Sequence, residues 1–317
     1  MTSNPTNLIS IRQAFGDTLT KLAKTNRRLY VVSMNLKSSL HLTEFAKKYP
    51  RRFIECGIAE ANAAAVAAGL AKSGHTVFLC SFACFSPAIN WAVIRQSICY
   101  QQLDVKIVGS HAGLMTGELG ATHQMLEDVA LMSTLPHMEV FAPVDALETQ
   151  KITAVLSRSR RPAYLRLVRP STPVLSNPKH NFTIGKSHLL KQGRHITVIG
   201  YGPVLNQAFT AQSQLSLQKP SISLEIINCS SLKPLDFDTI FRSLKKTGRL
   251  ICLEDHVQNG GLGHLVAAAL LQANLHPKFI HLAVKDQFGR SAKDYHQLYD
   301  HYGLGVKNLM AAAKKLL

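Results

Sequence analysis

Four short segments carry residue types that could do chemistry. In FIECGIAEANAAAVAAGLAK, a turn at Gly57 leads into a helix with Glu60 in its first turn, followed by a run of Ala, Val and Gly. Small side chains let a helix pack closely, so Glu60 is expected to be buried or at an interface. A carboxyl in an apolar setting keeps its proton to higher pH and can exchange it near neutrality. The plainer reading is a first-turn acid favoured by the helix dipole. In SFACFSPAINWAVIRQS, Phe82 and Phe85 stand three apart after a strand, as core or as a shelf for a flat heterocycle. GSHAGLMTGELGATHQMLED follows another strand. Its Gly113, Gly117 and Gly120 permit tight turns, and His111 and His123 offer hydrogen bonds or proton transfer. The alternative is a surface loop with incidental histidines. In AYLRLVRPSTP, Arg166 and Arg169 sit at and just past a strand end, where a guanidinium can grip phosphate or simply face solvent.

These segments need a scaffold. Short apolar runs at Leu29–Met34, Thr76–Cys80, Val105–Gly109, Glu139–Ala142 and Ala163–Leu167 read as buried parallel strands. Ile11–Thr25, Glu60–Ser73, Ala88–Gln101 and Asp145–Ser157 read as helices between them. The alternation predicts a doubly wound α/β domain over residues 1–170. Prolines and asparagines over 171–193 predict a linker with a short hairpin. Alternation resumes over 194–317, with strands at Ile196–Gly200, Ser223–Ile227, Leu250–Leu253 and Lys278–Leu282. Helices are expected at Leu205–Leu217, Leu235–Leu244, Gly263–Gln272 and Tyr302–Lys315. The fold class is therefore α/β, with two doubly wound domains. Loops at the carboxyl ends of parallel strands are where such domains place ligands.

Composition narrows the classes. The chain has 317 residues, of which 46% are hydrophobic and 17% charged, as in a globular protein. Lys and Arg number 36 against 19 acidic groups, a formal +17. The excess is spread, with 19 basic and 11 acidic groups over residues 1–170 and 17 and 8 beyond. It suits phosphorylated metabolites or an acidic partner, and no basic arm suggests nucleic-acid binding. No apolar run reaches a membrane span, and the start lacks a signal peptide, so a cytoplasmic location is expected. The six cysteines form no CxxC pair and read as reduced thiols. The histidine spacing offers no HxxxH, so no metal ligand is assigned to this chain. GxGxxG in a strand–helix context and GxxxxGK[ST] are both missing.

In order along the chain, GIAE, SFACF, THQMLED, the strand ending in Arg169, EDHVQNGGLG and FGRSA…LYDHYGL resemble the C-terminal section of transketolase, in the form encoded as a separate subunit. The resemblance covers nearly the whole chain. It implies a pyrimidine-binding domain followed by a transketolase C-terminal domain. It also implies thiamine diphosphate with Mg²⁺, and transfer of a two-carbon ketol unit from a ketose phosphate to an aldose. By the same resemblance, Glu60 hydrogen-bonds the pyrimidine ring so that the cofactor can lose its thiazolium proton, and Phe82 and Phe85 form the ring's pocket. His123 and His111 line the sugar path. Arg169, Arg12 and Ser39 contact substrate phosphate.

The family holds the diphosphate and Mg²⁺ through a GDG…N motif in its N-terminal domain, and no GDG occurs here. A partner chain is therefore expected to supply both, in a homodimer or an α₂β₂ heterotetramer. Several positions depart from the family pattern. Leu119 stands where an Asp usually recognises a sugar hydroxyl, and Asn35 replaces another Asp near the cofactor. Ala61 and Ala63 replace larger residues after the glutamate, and Ala88 a third aromatic. Other readings are a non-catalytic or regulatory subunit, a 2-oxo acid dehydrogenase E1 β-like subunit and a deoxyxylulose phosphate synthase-like subunit. In the C-terminal domain, Glu254, Asp255 and His256 look reactive but are expected to be structural.

Overall fold

The computed structural model describes residues 8–317. Seven strands form one sheet in the order Ser231–Lys233, Glu139–Phe141, Ala163–Arg166, Val105–Ser110, Thr76–Phe82, Leu29–Ser33, Phe53–Glu55. All neighbours run parallel except the first pair. A second sheet has the order Lys278–Val284, Arg249–Val257, Ile196–Gly200, Leu224–Asn228, His188–Lys191, and only the last strand is antiparallel. The α/β class follows from these two wound sheets.

The central strands are buried on both faces, which is why they read as unbroken apolar runs. Two apolar layers result. One joins Phe15, Phe78 and Val108 to Val198 and Ile226, and the other joins Ala64, Leu79 and Ile107 to Ile199 and Cys252. Each layer runs through both sheets. Side-chain caps start several helices: Ser10 accepts from Gln13, Asp145 from Glu148 and Asp236 from Thr239. Among the described residues no helix is long and apolar enough to cross a membrane.

Several details differ from expectation. The segment 171–193 holds no hairpin. Ser171–Thr172 pairs with Ile9–Ser10, whereas His188–Lys191 joins the second sheet. Ser231–Lys233, which the expected strands and helices leave unassigned, crosses to extend the first sheet beside Glu139–Phe141. The helix expected over Ala88–Gln101 begins at Trp91 and widens to π-helical geometry over Ile94–Cys99. Helices at Thr43–Lys48 and Tyr295–His301 have no counterpart in the sequence reading.

Candidate active site

Five adjacent parallel strands of the first sheet end on one edge, and each end carries a residue singled out by its chemistry. Ala163–Arg166 leads to Arg169, Val105–Ser110 to His111, and Thr76–Phe82 to Phe82 and Phe85. Leu29–Ser33 leads to Asn35, and Phe53–Glu55 to Glu60. Parallel direction alone gathers them, because every strand presents its carboxyl end to the same side.

Phe82 and Phe85 stack with centroids 5.9 Å apart and planes 20° apart. His111 lies against Phe82 at 3.8 Å, and His123 meets Phe85 edge-on at 5.5 Å. The four rings form one cluster at the strand ends. Ser110 Oγ lies 2.8 Å from His111 Nδ1, and Thr122 Oγ1 lies 2.9 Å from His123 Nδ1. Burial pushes the His111 pKa down, helped by Arg12, Arg169 and His123, to about 3. His111 is therefore a neutral hydrogen-bonding ring at neutral pH, which narrows its expected acid–base role. Its φ of 56° is left-handed, an uncommon state for a non-glycine residue.

The histidine loop is braced from the second sheet. Asp255 accepts the Leu114 N–H at 2.9 Å and the Tyr299 hydroxyl at 3.2 Å. Gly113 has φ 75°, and a Cβ there would collide with the Asp255 carboxylate and the Arg166 guanidinium. Arg166 is buried rather than a phosphate ligand. Its Nε donates to Asp128 at 2.9 Å and its Nη2 to the Asp255 carbonyl at 2.8 Å, while Tyr164 also donates to Asp128. The sequence offered no sign of this pair, because Asp128 lies far along the chain in a separate helix.

Glu60 opens the helix Glu60–Lys72 and is half-buried in the single chain, not dry. Asn90 Nδ2 donates to the Glu60 carbonyl at 3.1 Å and to Ser86 Oγ at 3.2 Å, tying the helix start to the turn after Phe82. Glu60 also helps raise the Cys84 thiol, which burial chiefly pushes up to about 11. Asn35 is exposed with φ 58°, and its N–H donates to Glu55 Oε1 at 2.6 Å. That bond ties it to the neighbouring strand end and not to the ring cluster. Leu119 is 38% exposed on the loop rim.

Arg12, Ser39 and Arg169 meet. Arg12 Nε donates to the Arg169 carbonyl at 3.1 Å and its Nη1 to the Ser39 carbonyl. Ser39 thus contributes its backbone to this contact. Arg169 Nη2 pairs with Glu118 at 2.9 Å, a partner absent from the sequence reading. Glu254, Asp255 and His256 make bracing contacts within the fold. Glu254 accepts from Leu262, Gly263, Tyr201 and His281, capping a helix start, and His256 accepts the Ala130 N–H. Cys252, Glu254 and His281 could geometrically surround a metal ion, which their sequence spacing did not suggest. The Glu254 oxygens are already taken by the four donors just named.

The transketolase pyrimidine-binding domain family matches residues 7–174, and the transketolase C-terminal domain family matches residues 185–309. The chain belongs to the transketolase family. It is a transketolase C-terminal-type chain of the split kind. It is 35% identical over 308 residues to one of the subunits of an apulose-4-phosphate transketolase from Phocaeicola vulgatus, covering 97% of each. It is 36% identical to a transketolase C-terminal section from Methanocaldococcus jannaschii, covering 96% of each. A 6-deoxy-6-sulfo-D-fructose transketolase subunit from a Clostridium species is 32% identical over 96% of the chain. Among solved structures, a split-gene transketolase in an inactive beta4 tetramer superposes with a TM-score of 0.88 at 35% identity, covering 98% and 99% of the chains. Transketolase from Campylobacter jejuni, at 19% identity and a TM-score of 0.81, shares the fold over 47% of its own length.

Proposed function

We propose that this transketolase-family chain is the C-terminal subunit of a thiamine-diphosphate-dependent transferase that moves a two-carbon ketol unit between sugar phosphates. Active sites form with an N-terminal partner subunit carrying GDG…N, which holds the diphosphate and Mg²⁺. The observation that carries this reading is the convergence of Glu60, the Phe82–Phe85–His111–His123 rings and the Arg12–Arg169 pair on one sheet edge.

The residues fit one half of the cofactor. The stacked phenylalanines offer a flat apolar face, and Glu60 lies half-buried at the helix start beside the turn that carries them. Phe82, Phe85, Glu60 and, at the rim, Asn35 would hold the aminopyrimidine. When bound, thiamine diphosphate supplies the electron sink that lets the bond beside a ketose carbonyl break. The chain's own residues orient and polarise. Glu60 holds a proton at a ring nitrogen in a charge-assisted bond. His111, neutral, and His123 bind sugar oxygens. Arg169 and Arg12 fix the phosphate end, and position alone contributes much of the rate.

A second reading is a non-catalytic subunit. It draws on Leu119 and Asn35 and on a similar chain whose tetramer is inactive. One experiment separates the two. The chain is co-expressed with a GDG…N partner and assayed with thiamine diphosphate, Mg²⁺ and a panel of ketose phosphates. Turnover that needs both chains and falls at least about 100-fold in Glu60→Gln supports the proposal. Absence of turnover on the whole panel, with the complex assembled and cofactor bound, refutes it.

A further inference from the structure

A cleft of about 290 Å³ opens beside the histidine loop, lined by Arg12, Glu118, Arg169, Ser171, Lys293 and Tyr295. Its cations come from three places in the chain. Arg12 sits on the first helix and Arg169 past a central strand. Burial lowers the Arg12 pKa, and the adjacent Arg169 charge lowers it further, as expected of two like charges held close. Lys293 belongs to the second domain. The stretch 290–293 is laid along the loop: Gln124 Nε2 donates to both the Gly117 and Arg290 carbonyls, at 3.0 and 2.9 Å, and the Ala292 N–H points to the Gly117 carbonyl at 3.5 Å. That clamp sets Lys293, exposed, on the cleft wall. Glu118 opposes it, paired with Arg169. Three cations and one carboxylate leave a formal +2.

We propose that Lys293 is a specificity-determining residue. With Arg12 and Arg169, and offset by Glu118, it matches the cleft to substrates ending in a doubly charged phosphate over the same sugar ending in a singly charged sulfonate. The inference rests on the sugar-phosphate reading above and names the residue pair that sets its charge class. Lys293 and Glu118 act in opposite directions. Removing the lysine lowers the cleft to +1, which weakens the hold on a dianion about twice as much as on a monoanion, and neutralising Glu118 raises it to +3.

The test uses the reconstituted complex with fructose 6-phosphate and 6-deoxy-6-sulfofructose, comparing Lys293→Met, Glu118→Gln and Arg169→Met. An exposed charge acting on a nearby ion supports an effect of about two- to fivefold. Lys293→Met should raise the phosphate KM by that factor while kcat and the sulfonate KM stay within about twofold. Glu118→Gln should lower the phosphate KM. Calorimetric titration of inorganic phosphate into the chain itself should weaken in parallel for Lys293→Met. If Arg169→Met raises the phosphate KM but Lys293→Met leaves phosphate and sulfonate alike, the inference falls and the functional reading stands. If Arg169→Met has no effect either, the phosphate site is misplaced and both fall.

Discussion

Asp255, on a strand of the second sheet, accepts the backbone N–H of Leu114 at 2.9 Å, in the loop that carries His111. The second domain thus holds the shape of the candidate active site although it contributes none of the four clustered rings. The Asp255 carboxylate also accepts from Tyr299, and its carbonyl from Arg166. Three elements distant in the chain are locked around one residue.

Asp255→Asn keeps the side-chain shape but removes the charge and turns one acceptor into a donor. A hydrogen bond to a charged group contributes about 1.5–3 kcal/mol. Calorimetry should show the unfolding midpoint falling by several degrees, at roughly 2–4 °C per kcal/mol. Turnover of the reconstituted complex should fall further than the folded fraction does. An unchanged midpoint would show that the loop is held by other contacts.

Asp128→Ala should cost more. It strands the buried Arg166 guanidinium, whose pKa burial would lower but Asp128 holds up. Removing one partner of a buried pair typically costs about 3–5 kcal/mol. Urea unfolding at neutral pH measures it, and a loss below about 1 kcal/mol would place water or another acceptor beside Arg166.

His111 gives a pH signature. Its folded pKa is pushed down to about 3, while an unfolded histidine titrates near 6.5. Between those values the unfolded chain takes a proton that the folded chain refuses. The contribution of the neutral ring is complete above pH 6.5. It is lost as pH falls toward 3, at up to about 1.4 kcal/mol per unit. His111→Gln should flatten the stability slope between about pH 6 and 4 in urea titrations. Parallel slopes for the two proteins would rule out a depressed His111 pKa.

Leu119 offers a gain of recognition. It is partly exposed on the rim, so a polar residue there meets little steric objection. Leu119→Asp should raise kcat/KM for donors bearing a hydroxyl at the recognised position by about tenfold or more over their deoxy analogues, since a site built for a hydroxyl discriminates strongly. Competition between the paired sugars reads it directly, and an unchanged ratio would remove Leu119 from the substrate path.

Much of this was legible because the central strands are buried on both faces. Thr76–Phe82 and Val105–Ser110 announce themselves as apolar runs, and their chemistry-bearing residues follow immediately. The ring cluster needed only that adjacent strand ends share an edge. What stayed hidden depends on contacts remote in sequence. Arg166 reads as a surface cation until Asp128 is seen beside it, and Glu118 reads as a loop acid until Arg169 is. Ser231–Lys233 has too few apolar residues to announce a strand, and its partner strand lies in the other domain. Glu60 was expected to be dry, but a single chain leaves it half-covered.

The crossing of Ser231–Lys233 onto the first sheet has a consequence for how this polypeptide can be divided. Cutting near residue 180 would leave Glu139–Phe141 with a bare backbone edge, and such edges invite pairing with other chains. The two pieces would not behave as separate modules. A gene break that nature or an engineer places there would have to be healed by recombining the fragments.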